Sequence, residues 1–163
     1  MLWLKPRKAP GNAEISIDLP DAAATEALGA RLARLLRAAD VVALKGDLGA
    51  GKTTLARGLI RAMAADGRLI VPSPTFTLVE TYETPRGVIW HFDLYRLERA
   101  RDAYELGIED AFASGISLIE WPERLGALLP PGRLSVTLSG HNGGRRADLG
   151  GAGSWPERLD GLG

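Results

Sequence analysis

"VVALKGDLGAGKTTLARGLIRAM", residues 41–63, passes from an apolar run through three glycines into a patterned segment. Gly46, Gly51, Lys52 and Thr53 match G-x-x-x-x-G-K-[ST], a turn whose successive backbone N–H groups point inward around phosphate oxygens. The loop from Gly46 through Asp47, Leu48, Gly49, Ala50, Gly51, Lys52, Thr53 and Thr54 is therefore the candidate phosphate cradle. Val41 to Leu44 read as a buried strand, and Leu55, Leu59 and Met63 recur every four residues on one helix face. Strand, loop and helix thus come in the order that the motif requires. The helix N-terminus adds partial positive charge and unpaired N–H groups to the same anion site. In such a loop Lys52 reaches the β- and γ-phosphates, and the Thr53 hydroxyl ligates Mg²⁺.

Outward from this loop, strands alternate with helices. Before it, Ile15, Ile17 and Leu19 alternate as a strand in residues 13–21. Residues 24–39 follow as an amphipathic helix with Leu28, Leu32, Leu35 and Leu36 inward and Thr25 as its cap. After it, "VPSPTFTLVETYETPRGVIWHFDLY" (71–95) holds two β-rich runs joined at "TPRG", the pattern of a hairpin. "ARDAYELGIEDAFASG" (100–115) reads as helical, and residues 116–121 and 133–140 as two further strands. The pattern predicts an α/β protein: a three-layer P-loop NTPase fold whose mixed sheet contains an antiparallel hairpin. Residues 13–140 form the predicted domain. The first dozen residues and the glycine-rich tail from His141 are expected to stand outside it, the former as a candidate for disorder, the latter with a short helix at "SWPERLDGL".

A chain of 163 residues with 45% hydrophobic content is about one domain with a real core. Twenty basic residues balance twenty acidic ones, so a broad basic surface for nucleic acid is not indicated. The absence of cysteine excludes disulfides, thiolate metal sites and a cysteine nucleophile. The opening residues hold too short an apolar run for a signal peptide, and no segment approaches a membrane span. A cytoplasmic protein without a membrane partner is expected.

A phosphate cradle needs an acid to hold the metal and position water, usually at the end of an apolar strand. "VIWHFD" ends on Asp93 and "SLIE" on Glu120, and spacing does not choose between them. In "PSPT" (72–75) two prolines fix the backbone before Thr75, which suits a sensor of the γ-phosphate and equally a rigid turn. No N-K-x-D occurs, so the usual guanine reader is missing and ATP is the expected nucleotide. "LSGHNGG" (138–144) is read as a glycine-rich turn. His91 and His141 are too isolated for a metal site, and His91 reads as a packed or surface residue rather than a catalytic one.

Together "GDLGAGKTT", "SPTFTLVE", "HFDLYRL", "ELGIED" and "LIEWPERL", in this order and at these separations, resemble the bacterial TsaE family (formerly YjeE), the ATPase component of tRNA threonylcarbamoyladenosine synthesis. The resemblance spans roughly residues 15–140. It implies ATP/ADP with Mg²⁺, and work alongside two partner proteins that modify the adenosine beside the anticodon, with tRNA met through that complex. By similarity Thr53 and Glu120 would be the metal pair, Lys52 the phosphate anchor and Asp93 a further catalytic acid. Thr75 would lie in a switch-like segment, Trp121 beside the active site, and Ala22, within "PDAAAT", near the adenine. The alternative is a small-molecule kinase of the P-loop class, for which Arg96, Arg99 and Arg101 would be lid arginines, although no acceptor motif adjoins them. A third reading is a nucleotide sensor without useful turnover.

Overall fold

The computed structural model describes residues 3–8 and 14–162. In chain order it contains strands β1 (Arg7–Lys8) and β2 (Ile15–Leu19), helix α1 (Ala22–Ala33), strand β3 (Val41–Lys45) and helix α2 (Lys52–Ala64). The hairpin β4 (Val79–Thr84) and β5 (Gly87–Asp93) comes next, then α3 (Ile108–Ser114), β6 (Ile116–Glu120), β7 (Leu134–His141), β8 (Gly144–Gly151) and α4 (Trp155–Leu159). The described strands join one mixed sheet in the order β1-β2-β8-β7-β3-β6-β5-β4. At its centre β3 pairs in parallel with β6 and β7, and β5 continues in parallel beside β6. Both flanks are antiparallel, β4 on β5 at one side and β7-β8-β2-β1 at the other.

Alternation decides what each face covers. Leu44, Leu118 and Val136 pack with Ile17 and Leu149 beneath α1 and α2, which contribute Leu28, Leu32, Leu55 and Leu59. Val41, Phe92 and Ile119 point the other way, against α3 and the 3₁₀ segments Ala100–Leu106 and Pro122–Leu128 through Ile108, Ala103 and Leu125. Helix, sheet and helix make three layers, and each fully buried Leu or Phe contributes about 1.5–3 kcal/mol. The α1–α2 contact is close because two glycines meet there: a Cβ on Gly58 would lie 2.2 Å from the Glu26 carbonyl oxygen, and one on Gly29 2.3 Å from that of Leu55.

Several boundaries differ from the sequence reading, each for a local reason. Helix α1 begins at Ala22, capped by Asp21, whose carboxylate accepts from the Ala24 N–H at 2.8 Å; Thr25 is buried inside the first turn and caps nothing. It ends at Ala33 rather than 39, and Arg86, at the tip of the β4–β5 hairpin, donates to the carbonyls of Ala33 and Leu36. Residues 71–78 are irregular because Pro72 and Pro74 have no N–H for a ladder and Leu78 takes a left-handed conformation (φ 68°). The segment 100–115 breaks at Gly107, where a Cβ would stand 2.9 Å from the Trp90 ring.

The largest correction concerns the ends. Residues from His141 onward do not stand outside the domain: β8 inserts between β2 and β7, and α4 packs Trp155 and Leu159 into the core. Asn142 (φ 49°) and Gly143 (φ 79°) form the two-residue turn that joins β7 to β8, an Asn-Gly pair whose twist suits a hairpin. Arg158 then ties α4 to the Asp40 carboxylate and the Leu35 carbonyl. At the other terminus Arg7 and Lys8 pair with β2, and Trp3 lies beneath the Arg31 guanidinium at 4.0 Å. Of the expected disordered segment, residues 1–2 and 9–12 lie outside the described residues.

Candidate active site

The parallel strands β3, β5 and β6 end on one edge of the sheet, and the loops that leave them build the site. After β3 the loop turns back so that Gly51 (φ 105°) caps α2 with no side chain, and no acidic residue stands in the first turn. The leading N–H groups of α2 are thus left for an anion. Lys52 is 5% exposed. Its ammonium donates to the Gly46 carbonyl and, at 3.0 Å, to that of Asp47, and lies 4.0 Å from the centre of the Trp121 ring. Burial lowers the Lys52 pKa from that of an ordinary lysine, while Glu120 and Asp93 act in the opposite direction.

Asp93 and Glu120 are register partners at the ends of β5 and β6, so both carboxylates emerge on one face, that of α2. Glu120, 3% exposed, accepts from the Thr53 hydroxyl, which stands 3.0 Å from each carboxylate oxygen. Asp93 is held differently: one oxygen accepts from the Tyr95 N–H at 3.1 Å, and the other faces the hydroxyls of Ser73 and Thr75, each at 3.4 Å. Those two hydroxyls are themselves 2.9 Å apart, and the segment bearing them is fastened by the Leu78 N–H to Pro74 and by the Asp93 N–H to Leu78. Thr75 therefore stands with Asp93, and Thr53 with Glu120.

The cleft between these groups has a volume of about 290 Å³ and is lined by the loop residues Leu48 to Thr54 together with Ser73, Thr75, Asp93, Glu120 and Trp121. Leu48 projects at the loop tip, 69% exposed. Ala22 lies in an adjoining cavity of about 260 Å³, shared with Gly49, Gly51 and Thr54 of the loop. Trp121 takes a left-handed backbone conformation (φ 59°) directly after Glu120, a placement that costs about 1–3 kcal/mol for a bulky residue. Its ring packs against Tyr95, tilted by 48° with centroids 4.9 Å apart. Arg96 lies against the exposed Phe76 ring, and Arg99 and Arg101 are exposed on the surface beyond.

Two contributors to this site were not assigned to it from the sequence, where His91 was read as a packed or surface residue and Arg145 fell in the supposed tail. His91, buried and 2.7 Å from a Glu120 oxygen through Nε2, sits two residues before Asp93 and so on the same strand face. Arg145, in the supposed tail, donates to the carbonyls of Gly49 (3.0 Å) and Ala50 (3.2 Å) and braces the loop from β8. The Asn-Gly pair was the available signal for that hairpin.

The donor chemistry fits Mg²⁺ and a nucleotide. A helix start without a cap and a buried ammonium suit phosphate, and a hydroxyl beside a carboxylate supplies the hard oxygen ligands that Mg²⁺ takes alongside phosphates and water. Among the described residues no three His, Cys, Asp or Glu side chains group to cage a metal by themselves.

Fold and site define the class: an α/β protein of the P-loop NTPase type. Residues 19–147 match the family model described as "Threonylcarbamoyl adenosine biosynthesis protein TsaE", and the chain belongs to that family. The tRNA threonylcarbamoyladenosine biosynthesis protein TsaE of Rickettsia felis is 44% identical over 114 residues, 70% of this chain and 66% of that protein. Its namesake from Haemophilus influenzae is 39% identical over 137 residues, 80% of this chain and 85% of the relative. Among solved structures, the crystal structure of Bacillus subtilis YdiB superposes with a TM-score of 0.74 at 25% identity, covering 99% of this chain and 97% of that one.

Proposed function

We propose that this chain binds ATP with Mg²⁺ in the cleft and hydrolyses it to act on a complex of two other proteins that forms threonylcarbamoyladenosine in tRNA beside the anticodon. Family membership supports the pathway, since the relatives bear that name. The observation that carries hydrolysis is the meeting of Lys52 and Thr53 with the paired carboxylates Asp93 and Glu120 in one cleft. Mg²⁺, when bound, neutralises charge on the phosphates. Thr53 and Glu120 are the oxygens that would hold it, and Lys52 supplies a partly desolvated cation for the β- and γ-phosphates. Asp93, with an oxygen turned to Ser73 and Thr75, is the acceptor that orients the attacking water, and Thr75 is the hydroxyl suited to sense the γ-phosphate. Ala22 belongs to the nucleoside side of the site. Trp121 and Tyr95 shield Lys52 and present an aromatic surface at the mouth, where a partner protein docks. Among the described residues no helix is long and apolar enough to cross a membrane. The work on tRNA is assigned to the cytoplasm, and the tRNA is met through the complex.

Labelled ATP tests the proposal. The isolated chain should release phosphate slowly, and the copurified native partners should raise the rate. Trp121→Ala should lose that stimulation while keeping the wild-type melting temperature. Label on a small acceptor would make the chain a kinase, tight binding without turnover a sensor. A fast hydrolase indifferent to partners would refute the proposal.

A further inference from the structure

We propose that His91 is a positioning residue for Glu120, fixing which carboxylate oxygen is turned to the metal side of the cleft; this rests on the metal reading of Thr53 and Glu120 above. The Thr53 hydroxyl lies 3.0 Å from both carboxylate oxygens and therefore does not distinguish them. His91 does, because its Nε2 lies 2.7 Å from Oε2 alone. Since a carboxylate only accepts, Nε2 is the donor, and the bond holds Oε2 back against β5 while Oε1 keeps only the Thr53 contact. The other ring nitrogen, Nδ1, is buried with no hydrogen-bond partner. An imidazole that leaves one nitrogen unsatisfied in a closed interior costs folding free energy, on the order of 1–3 kcal/mol for an unpaired buried group. Packing alone would be served better by Leu, so the value of His91 lies in its one bond. Register makes that bond possible. His91 pairs with Leu118, one step behind Glu120 on the same face, so a ring long enough to reach forward meets the carboxylate from below while Thr53 meets it from α2. Groups that orient metal-binding carboxylates in this way are worth about 10–100-fold in metal affinity.

The experiment compares His91→Leu, His91→Asn and His91→Gln with wild type. A fluorescent ADP analogue is titrated first in EDTA and then with MgCl₂, and melting temperatures are recorded. Leu removes the bond and fills the space, Asn keeps polarity but falls short of Glu120, and Gln carries an N–H out to the position of Nε2. Leu and Asn are expected to raise the Mg²⁺ concentration at half-effect by about tenfold, with binding in EDTA unchanged, and Gln to restore most of it. Should Leu not fold, the contrast between Asn and Gln decides. A wild-type Mg²⁺ midpoint in Asn and Leu would overturn the role of His91 and leave the metal site standing, as would equal shifts in Asn and Gln. Nucleotide binding by wild type that ignores Mg²⁺ altogether would remove the metal reading, and this inference with it.

Discussion

Replacing Gly58 by alanine tests how the nucleotide site is mounted. In an exposed helix the change stabilises by about 1 kcal/mol, because glycine is the poorer helix former. Gly58 lies in the interior of α2, so the propensity gain applies in full. A Cβ there would nevertheless stand 2.2 Å from the Glu26 carbonyl oxygen and 2.8 Å from the Glu26 carbonyl carbon and Cα. All three obstacles are backbone, so no side chain can swing aside, and α1 and α2 must separate by about 1 Å to restore van der Waals contact. Overpacking costs about 1–3 kcal/mol and more where backbone must shift, so a net loss of about 1–3 kcal/mol remains after the helix gain. At about 2–4 °C per kcal/mol for a chain of this size, Gly58→Ala should melt roughly 2–12 °C below wild type by scanning calorimetry. Gly67→Ala is the control: nothing lies within 4 Å of its added Cβ, and the melting point should hold or rise slightly. Gly29→Ala should mimic Gly58→Ala, since its Cβ meets the Leu55 carbonyl oxygen at 2.3 Å. One separation relieves both clashes, so the double variant should lose less than the two single losses added. A Gly58→Ala protein that melts at or above wild type would refute the argument.

The site itself yields two further outcomes. Glu120→Ala should raise the Mg²⁺ needed for nucleotide binding, while Asp93→Ala should lower turnover with the Mg²⁺ midpoint near wild type; titrations giving the reverse would exchange the two roles. Arg145→Ala removes the donors to Gly49 and Ala50 and should weaken ADP binding about five- to tenfold by calorimetry, the worth of roughly 1 kcal/mol; unchanged affinity would confine Arg145 to the hairpin.

The legibility of this chain in its sequence depends on the distance over which each feature is defined. The phosphate loop, its strand and its helix are contiguous, and glycine, lysine and threonine act there through backbone shape and local charge, so residues 41–63 reveal them directly. The mixed sheet with its β4–β5 hairpin was legible for the same reason: alternation and turn residues are short-range signals. The two acids were legible as strand-end carboxylates but not as individuals. Partnership across the sheet separates them, Glu120 with Thr53 sixty-seven residues away and Asp93 with Ser73 and Thr75.

Glycine content misled where it was read as composition rather than as geometry. In the tail the Asn-Gly pair at 142–143 sits between His141 and Gly144, which face each other in the ladder, and it turns β7 back into β8. Ala147 and Leu149 then alternate inward, a strand pattern diluted by glycine and arginine. Tightness explains part of that glycine: a Cβ at Gly144 would lie 2.5 Å from the Leu19 carbonyl oxygen, so the hairpin end needs a residue without one to seat against β2. Seated there, it carries Arg145 to the phosphate loop, a contact spanning ninety-five residues. His91 was hidden by a different geometry. Its isolation among histidines was real, but its partner is a carboxylate on the neighbouring strand, and only the parallel register of β5 on β6 brings the two within 2.7 Å. A buried polar residue two positions before a strand-end acid is therefore a signal to seek its partner one strand over rather than among residues of its own kind.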